Sequence, residues 1–181
     1  IKSVDRNPCW NNIIENSSKI ISFFDLAGHE KYLKTTIYGL SSIQPNYCMI
    51  LISGTSGINH MTKEHISVCL TLQIPMIFII TKIDITPINI LEELHKNLKK
   101  LCNQLKKKYI KITDIENVIT YINDFSLIPV MEISNTSNYN INLLKSFLNL
   151  LPNLSDINNS NVEFIINNIY SVVGHPVIVS G

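Results

Sequence analysis

The sequence predicts an α/β fold, a parallel sheet wound by helices on both faces and followed by the opening strands of a β-rich second unit. Three observations carry this. Residues 20–24 (IISFF), 47–53 (YCMILIS), 75–81 (PMIFIIT) and 128–134 (IPVMEIS) are nearly continuous apolar runs, the pattern of strands buried on both faces. Helical spacings lie between the runs, and strand–helix repetition builds parallel sheets through right-handed crossovers. After Pro152 the helical period vanishes, and short β segments with a Gly174-His175-Pro176 turn signal replace it.

Taken in order, the first strand is 20–24, ending at Asp25, and the second is 47–53. Thr62 is expected to cap a helix that has Glu64 in its first turn and runs to about Leu72. The third strand, 75–81, leads to Thr86-Pro87, read as a cap with proline at the first helical position. The helix after it carries Leu91, Leu94, Leu98, Leu101 and Leu105 on one stripe, with Lys106 to Lys108 at its C-terminal end. Residues 111–125 stay open between an extra strand and a surface insertion. After the fourth strand, Asn140 is expected to cap a last helix with Leu144, Phe147, Leu148 and Leu151 inward, stopped by Pro152.

Composition narrows the function classes. The chain has 181 residues, 45% hydrophobic and 16% charged, with a formal net charge of +1. Disorder is excluded by the apolar content, and the near-neutral charge gives no general nucleic-acid footprint. Ile, Asn and Lys are very common while Arg6 and Ala27 are single, a skew that reads as genomic bias and discounts the Asn-rich loops. Cys9, Cys48, Cys69 and Cys102 form no CxxC pair, and Cys48 and Cys69 lie in apolar runs as reduced thiols. The sequons at Asn16, Asn135 and Asn158 need a secretory pathway, and no signal peptide or apolar run of ~20 residues is present. A soluble, cytoplasmic monomer without membrane attachment is expected. The sequence does not begin with Met, and its ends are read as cut ends of a longer protein.

Three strand-end loops carry the chemistry. In open α/β sheets ligands bind beyond the carboxyl ends of the strands, so the three should face one crevice. In Asp25-Leu26-Ala27-Gly28-His29-Glu30, an acid at a strand end can reach Mg²⁺ directly or through water. Gly28 lets a backbone N–H approach a terminal phosphate, and His29 lies where an attacking water must be oriented. In Thr81-Lys82-Ile83-Asp84, the carboxylate can accept two bonds from the N1–H and exocyclic amine of guanine, donors that adenine does not match. The Lys82 stem can lie over the base. In Glu132-Ile133-Ser134-Asn135-Thr136, backbone amides can meet the base carbonyl and Ser134 can buttress Asp84. Each loop taken singly has an ordinary structural reading as a turn or a polar strand end. Their order, each behind its own apolar run, 59 residues from Asp25 to Asp84 and 50 from Asp84 to Ser134, makes chance agreement improbable.

The stretches DLAGHEKYLKTTIYGL, MTKEH, TKID, EISNTS and LLKSFLNLL together resemble the GTP-binding protein 1 and 2 subfamily of translational GTPases, relatives of elongation factors 1-alpha and Tu. The resemblance runs from about Lys19 to Gly181. It implies a P-loop NTPase-type G domain, partial over 1–153, a linker over 154–161, and the start of a β-barrel second domain over 162–181. Asp25 and Gly28 match the third G motif of the family and His29 its water-positioning histidine. Thr81, Lys82 and Asp84 match the fourth motif, and Ser134, Asn135 and Thr136 the fifth. GTP/GDP and Mg²⁺ are the implied cofactors, with tRNA, the ribosome or the RNA-decay machinery as implied partners. Lys31 and Lys34 follow the second switch, where relatives meet ribosomal RNA or exchange partners.

The departures are specific. Thr81 stands where most GTPases have Asn, Asn135 where the fifth motif has Ala, and His175-Pro176 where the barrel opening has Gly-Thr. No GxxxxGK[ST] occurs in the 181 residues, and no switch I threonine is recognisable before Lys19, so the chain by itself is expected to bind GTP weakly or not at all. Residues 1–18 are assigned between the first switch and the third motif. A degenerate, non-hydrolysing module that holds protein or RNA is the rival reading. A selenocysteine-specific factor or an initiation factor gamma subunit is a third. Among other residues, His60 and His65 lack zinc-site spacing and read as helix-start polar residues. His95 reads as solvent-facing, and the Lys106 to Lys108 run as a solvated helix end.

Overall fold

A computed structural model describes residues 10–154, 164, 166, 168–172, 174 and 176–180. Strands β1 (Cys48–Ser53), β2 (Met76–Thr81), β3 (Lys108–Lys111) and β4 (Leu127–Glu132) form one parallel sheet in the order β1-β2-β4-β3. The apolar runs at 47–53, 75–81 and 128–134 therefore become strands where expected. In β2 every residue but the last is buried, because helices cover both faces and leave no polar side for alternation.

Helices α3 (His60–Thr71) and α4 (Ile88–Gln104) lie on one face. There Ile66, Cys69, Leu91, Leu94, Leu98 and Cys102 pack with Phe78, Ile80 and Val130. Helices α5 (Ile115–Asn123) and α6 (Ile141–Leu150) cover the other, where Val118, Tyr121, Phe147 and Leu148 pack with Ile77, Ile79 and Met131. Two-sided winding follows from strand side chains alternating between two apolar layers. Helices α1 (Trp10–Glu15) and α2 (Leu33–Ile43) precede the sheet, and Leu40 of α2 joins the first layer. A separate antiparallel pair, β5 (Asn168–Tyr170) and β6 (Ile178–Ser180), follows, with Gly174 at φ +84° between its strands. The β segments expected there are present. His175 and most of the 154–161 linker lie outside the described residues, as does Cys9.

Several local expectations are corrected. Residues 20–24 form no strand. A strand exists through its ladder, and among the described residues none pairs with this segment. Phe23 and Phe24 are exposed. The segment instead runs beside the outer edge of β1, across an open cleft of about 1130 Å³ lined by residues 18–28 and by Tyr47 to Leu51. Its start is tied down by Lys19, whose ammonium donates to the carbonyls of Leu148 and Asn149, each at 2.9 Å, and of Leu151. These are the last carbonyls of α6, which have no helical donors of their own.

The cap of α3 is Asn59, whose side-chain oxygen accepts from the Thr62 backbone N–H and hydroxyl, both at 2.8 Å. Thr62 is a buried helical residue. Thr86 does not cap α4; its hydroxyl donates to the Lys82 carbonyl at 2.7 Å, and Pro87 holds the N-cap position. Asn140 stands at the N-cap position of α6 but its side chain makes no cap bond. Its amide donates to the Glu132 carbonyl at 3.0 Å. The Lys106 to Lys108 run leaves the helix: α4 ends at Gln104, Lys106 takes φ +55°, and Lys108 opens β3. The open segment resolves as the end of β3 and α5, capped by Asp114, which accepts from the Asn117 N–H at 2.9 Å. That bond and the Thr113 hydroxyl hold the Asp114 carboxyl below its ordinary range.

Cys69 and Cys102 are buried and Cys48 half-buried, all three as free thiols. Burial pushes the Cys102 thiol up to about 11. Among the described residues no helix is long and apolar enough to cross a membrane.

Candidate functional site

The site is built at the carboxyl ends of the strands. The turn after β2 begins with Lys82 in the left-handed region, φ +61°, a conformation a non-glycine residue adopts at some energetic cost. That twist turns the chain off the strand into a 3-10 turn, Ile83–Ile85, with Asp84 exposed at its centre. The neighbouring strand β4 ends at Glu132, and Ile133 N–H still bonds the Ile80 carbonyl at 2.8 Å. This carries Ser134, which is fully buried, into reach of Asp84: the Ser134 hydroxyl donates to Asp84 Oδ1 at 2.7 Å.

The buttress read from the sequence is thus present as a contact. One Asp84 oxygen is fixed by a neutral donor, and the exposed carboxylate keeps its remaining lone pairs for a ligand. The loop beyond closes on itself. Ser134 N–H bonds the Tyr139 carbonyl at 3.2 Å, Ser137 N–H bonds the Ser134 oxygen at 3.2 Å, and Asn138 and Asn140 both take positive φ. Asn135 and Thr136 form its exposed tip.

Thr81 braces the β1 loop through its backbone. Its carbonyl accepts from Gly54 N–H at 2.9 Å, whereas its hydroxyl lies 3.5 Å from the Ile52 carbonyl, the outer limit of a bond. Gly54 is a residue the sequence reading missed. A Cβ there would stand 2.4 Å from the Thr86 hydroxyl and 3.2 Å from the Thr81 carbonyl, so any side chain must displace the two loops that frame Asp84. The signal was available as a glycine directly after an apolar strand, SGTSG.

Asp25 and Gly28 lie on the segment that borders the cleft beside β1. Residue 19 sits at the amino edge of the sheet, beside the end of α6, as does Tyr47, whose hydroxyl donates to the Pro152 carbonyl at 2.9 Å. From there the segment follows β1 toward its carboxyl end. The Thr36 hydroxyl donates to the Ala27 carbonyl at 2.6 Å, and Leu26 packs so close to Gly39 that a Cβ on Gly39 would lie 2.9 Å from it. These contacts set Leu26 and Ala27 against the middle of α2, across the cleft that borders β1. Asp25, Gly28 and His29 are exposed. The His29 Nδ1 accepts from Lys31 N–H at 3.2 Å, and its ring meets Tyr32 edge-on at 6.3 Å. In the neutral ring the proton then sits on Nε2, which remains available to a water.

Mg²⁺ binds through one or two carboxylates together with substrate phosphates and waters. The exposed Asp25 carboxylate fits that demand as a single acid. Among the described residues no three of His, Cys, Asp and Glu gather as an all-protein cage.

A second polar cluster adjoins the site. Glu132, 7% exposed, receives His95 Nε2 and Lys111 Nζ, the latter at 2.5 Å, on the same carboxylate oxygen. His95 Nδ1 lies 2.7 Å from the Tyr109 hydroxyl. The expectation that His95 faces solvent is corrected: it lies where α4 packs over β3, with its side chain 18% exposed. The His95 bond, joined by Lys111, outweighs burial and holds the Glu132 carboxyl below its ordinary value of 4.5. A carboxylate depressed in the folded state adds stability above its unfolded pKa and loses it as pH falls through the folded value. Glu132→Gln is therefore expected to flatten the drop in melting temperature below about pH 4.5. A drop unchanged from wild type would remove Glu132 from the acid response.

A parallel sheet covered by helices on both faces, with a serine-fixed aspartate on the turn after an inner strand, fits the class of the translational GTPases. Residues 10–153 match the family model of the elongation factor Tu GTP binding domain. The chain belongs to that family and is a GTP-binding domain of the elongation factor Tu type. It is similar to GTP-binding protein 1 of Xenopus laevis, 43% identical over 178 residues, which cover 95% of this chain and 27% of that protein. It is also similar to GTP-binding protein 2 of Homo sapiens, 34% identical over 181 residues, covering 93% and 30%. The chain thus spans less than a third of these relatives. The fold is shared with translation elongation factor SelB of Methanococcus maripaludis in its apo form, at TM-score 0.55 and 17% identity over 86% of this chain and 31% of that one. It is shared equally with the complex of that factor with the GTP analogue GppNHp, at TM-score 0.54 and 16% identity over the same shares.

Proposed function

We propose that this domain binds and hydrolyses GTP within a longer elongation factor-like protein acting in translation or in RNA and ribosome surveillance. The observation that carries the reading is the Ser134–Asp84 bond at 2.7 Å, which presets a carboxylate for two donors of one base edge. Only guanine offers an adjacent N1–H and amine, so Asp84 selects it, and charge-assisted bidentate bonds make the selection strong. The Lys82 stem covers one face of the base, and the amides of Asn135 and Thr136 meet its carbonyl.

Water attacks the γ-phosphorus in line; the new O–P bond forms as the bond to the β-phosphate oxygen breaks, and the proton leaves with inorganic phosphate. His29 Nε2 orients that water, and the Gly28 N–H supports the γ-phosphate oxygens as charge shifts. Asp25 would hold Mg²⁺, which would supply charge neutralisation at the phosphates. The 181 residues contain no GxxxxGK[ST], so the chain by itself grips the phosphates weakly. The same reading divides the chain into a G domain over 1–153, a linker over 154–161 and the start of a barrel over 162–181. Its partners are then tRNA, the ribosome or the RNA-decay machinery, with the protein a cytoplasmic monomer.

In the full-length protein, His29→Ala is expected to lower stimulated GTP turnover by roughly 10²-fold, the scale of a lost positioned group, while GTP affinity is retained. Single-turnover hydrolysis beside equilibrium nucleotide binding measures both, and wild-type turnover would take His29 out of the mechanism. The rival, a non-hydrolysing module, draws on Thr81, whose hydroxyl makes only the 3.5 Å contact where a longer amide would brace the loops. Absence of stimulated hydrolysis in the wild-type protein would favour it.

A further inference from the structure

We propose that the chain Tyr109–His95–Glu132–Lys111 is a positioning device for the base-reading pair Asp84–Ser134. The proposal rests on the guanine reading above. Glu132 lies two residues before Ser134 and on the same face of β4 as Ile128 and Val130, the face that packs against α4. His95 lies on α4, which begins four residues after Asp84. The His95–Glu132 bond therefore staples β4, which leads into Ser134, to α4, which follows the turn that carries Asp84.

The rest of the cluster fixes the staple. Tyr109 and Lys111 both come from β3 and grip the imidazole and the carboxylate from the far side, the Tyr109 ring standing edge-on to His95 at 6.1 Å and 88°. The Glu132 main-chain carbonyl holds the Asn140 amide, which closes the loop that starts at Ser134. Bonding also sets the protons. An ionised carboxylate only accepts, so His95 Nε2 carries hydrogen; Nδ1 of the neutral ring then accepts from the Tyr109 hydroxyl. Burial pushes the Tyr109 hydroxyl up, with the Glu132 charge adding to it, so it stays a donor. Each side chain has a partner within the cluster, with Lys111 at its exposed edge. A carboxylate at this depth is costly compared with an apolar side chain of similar volume, and the buried leucines, isoleucines and valine of the same layer show what plain packing looks like here. The cluster holds orientation: Asp84 must stay in the plane of the base to take both guanine donors, and a helix free to roll would tilt it out.

The test uses the full-length protein, titrated by fluorescence competition with guanosine diphosphate and with inosine diphosphate. Inosine lacks the exocyclic amine, so the ratio of the two affinities reads the amine bond to Asp84 and cancels ribose and phosphate contacts. The wild type is expected to prefer guanosine, and His95→Gln and Tyr109→Phe to cut that preference by roughly threefold to tenfold, the scale of one weakened bond, with inosine affinity unchanged. Thermal melting accompanies each titration. Unchanged preference in folded variants makes the cluster a stabilising contact and overturns the proposal. An equal loss for both ligands overturns it too. If His95→Gln fails to fold, Tyr109→Phe, which keeps the His95–Glu132 bond and an aromatic ring, decides alone. A wild type with no guanosine preference sinks the guanine reading itself, an outcome distinct from a preference that survives in the variants.

Discussion

Asp84→Asn is expected to weaken guanine nucleotide binding by about 10²-fold or more and to turn preference toward xanthine nucleotides. The carboxylate is held from one side by the Ser134 hydroxyl at 2.7 Å and otherwise faces solvent on the 3-10 turn Ile83–Ile85. Bonds to a charged acceptor contribute about 1.5–3 kcal/mol each. Replacing one oxygen by an NH₂ keeps one of the two bonds and turns the other into a donor facing a donor. Xanthine carries a carbonyl where guanine carries its amine, so the same amide becomes complementary, and discrimination reverses because unpaired polar groups are penalised. The fold should be untouched, because Asp84 is exposed. Competition between GTP and XTP on the full-length protein reads the outcome. Guanine preference kept at wild-type strength would mean that Asp84 does not read the base.

Phe78→Ala carries the largest expected loss of stability. Phe78 is fully buried at the centre of β2, paired to Ile50 on one side and Val130 on the other. It sits among Ile66, Leu94, Leu98 and Cys102 of the covering helices. Truncating a buried phenylalanine costs about 3–5 kcal/mol, because the cavity adds to the lost transfer energy, against a whole-domain stability of roughly 5–15 kcal/mol. The melting temperature should fall by about 10 °C. Leu51→Ala, on the edge strand of the same sheet and 65% exposed, should stay within about 0.5 kcal/mol of wild type. Calorimetry on the two variants tests the layer assignment, and equal losses would contradict it.

The strands β1, β2 and β4 were legible because burial on both faces writes itself as an unbroken apolar run, and α4 because its leucines repeat at helical spacing. The 20–24 run is as apolar as these yet forms no strand. Apolarity predicts burial, whereas a strand also needs a neighbour to share its hydrogen bonds, and that neighbour is not a property of the run. Caps erred in the same way. Thr62, Thr86 and Asn140 have the right chemistry and stand near the right boundaries, but each found a different acceptor or donor within reach.

The sequence by itself determined the layered α/β plan, the order of the three site loops and the residues Asp25, Gly28, His29, Thr81, Lys82, Asp84, Ser134, Asn135 and Thr136 as candidates, because these depend on period and spacing along one chain. Only the tertiary structure decided that Ser134 touches Asp84, that Gly54 must be bare, and that His95 turns inward to Glu132. Those contacts join residues 37 to 50 positions apart, or a backbone to the loop after the adjacent strand. Hydrogen bonds are satisfied by whatever lies within about 3 Å in space, and sequence separation does not encode that distance.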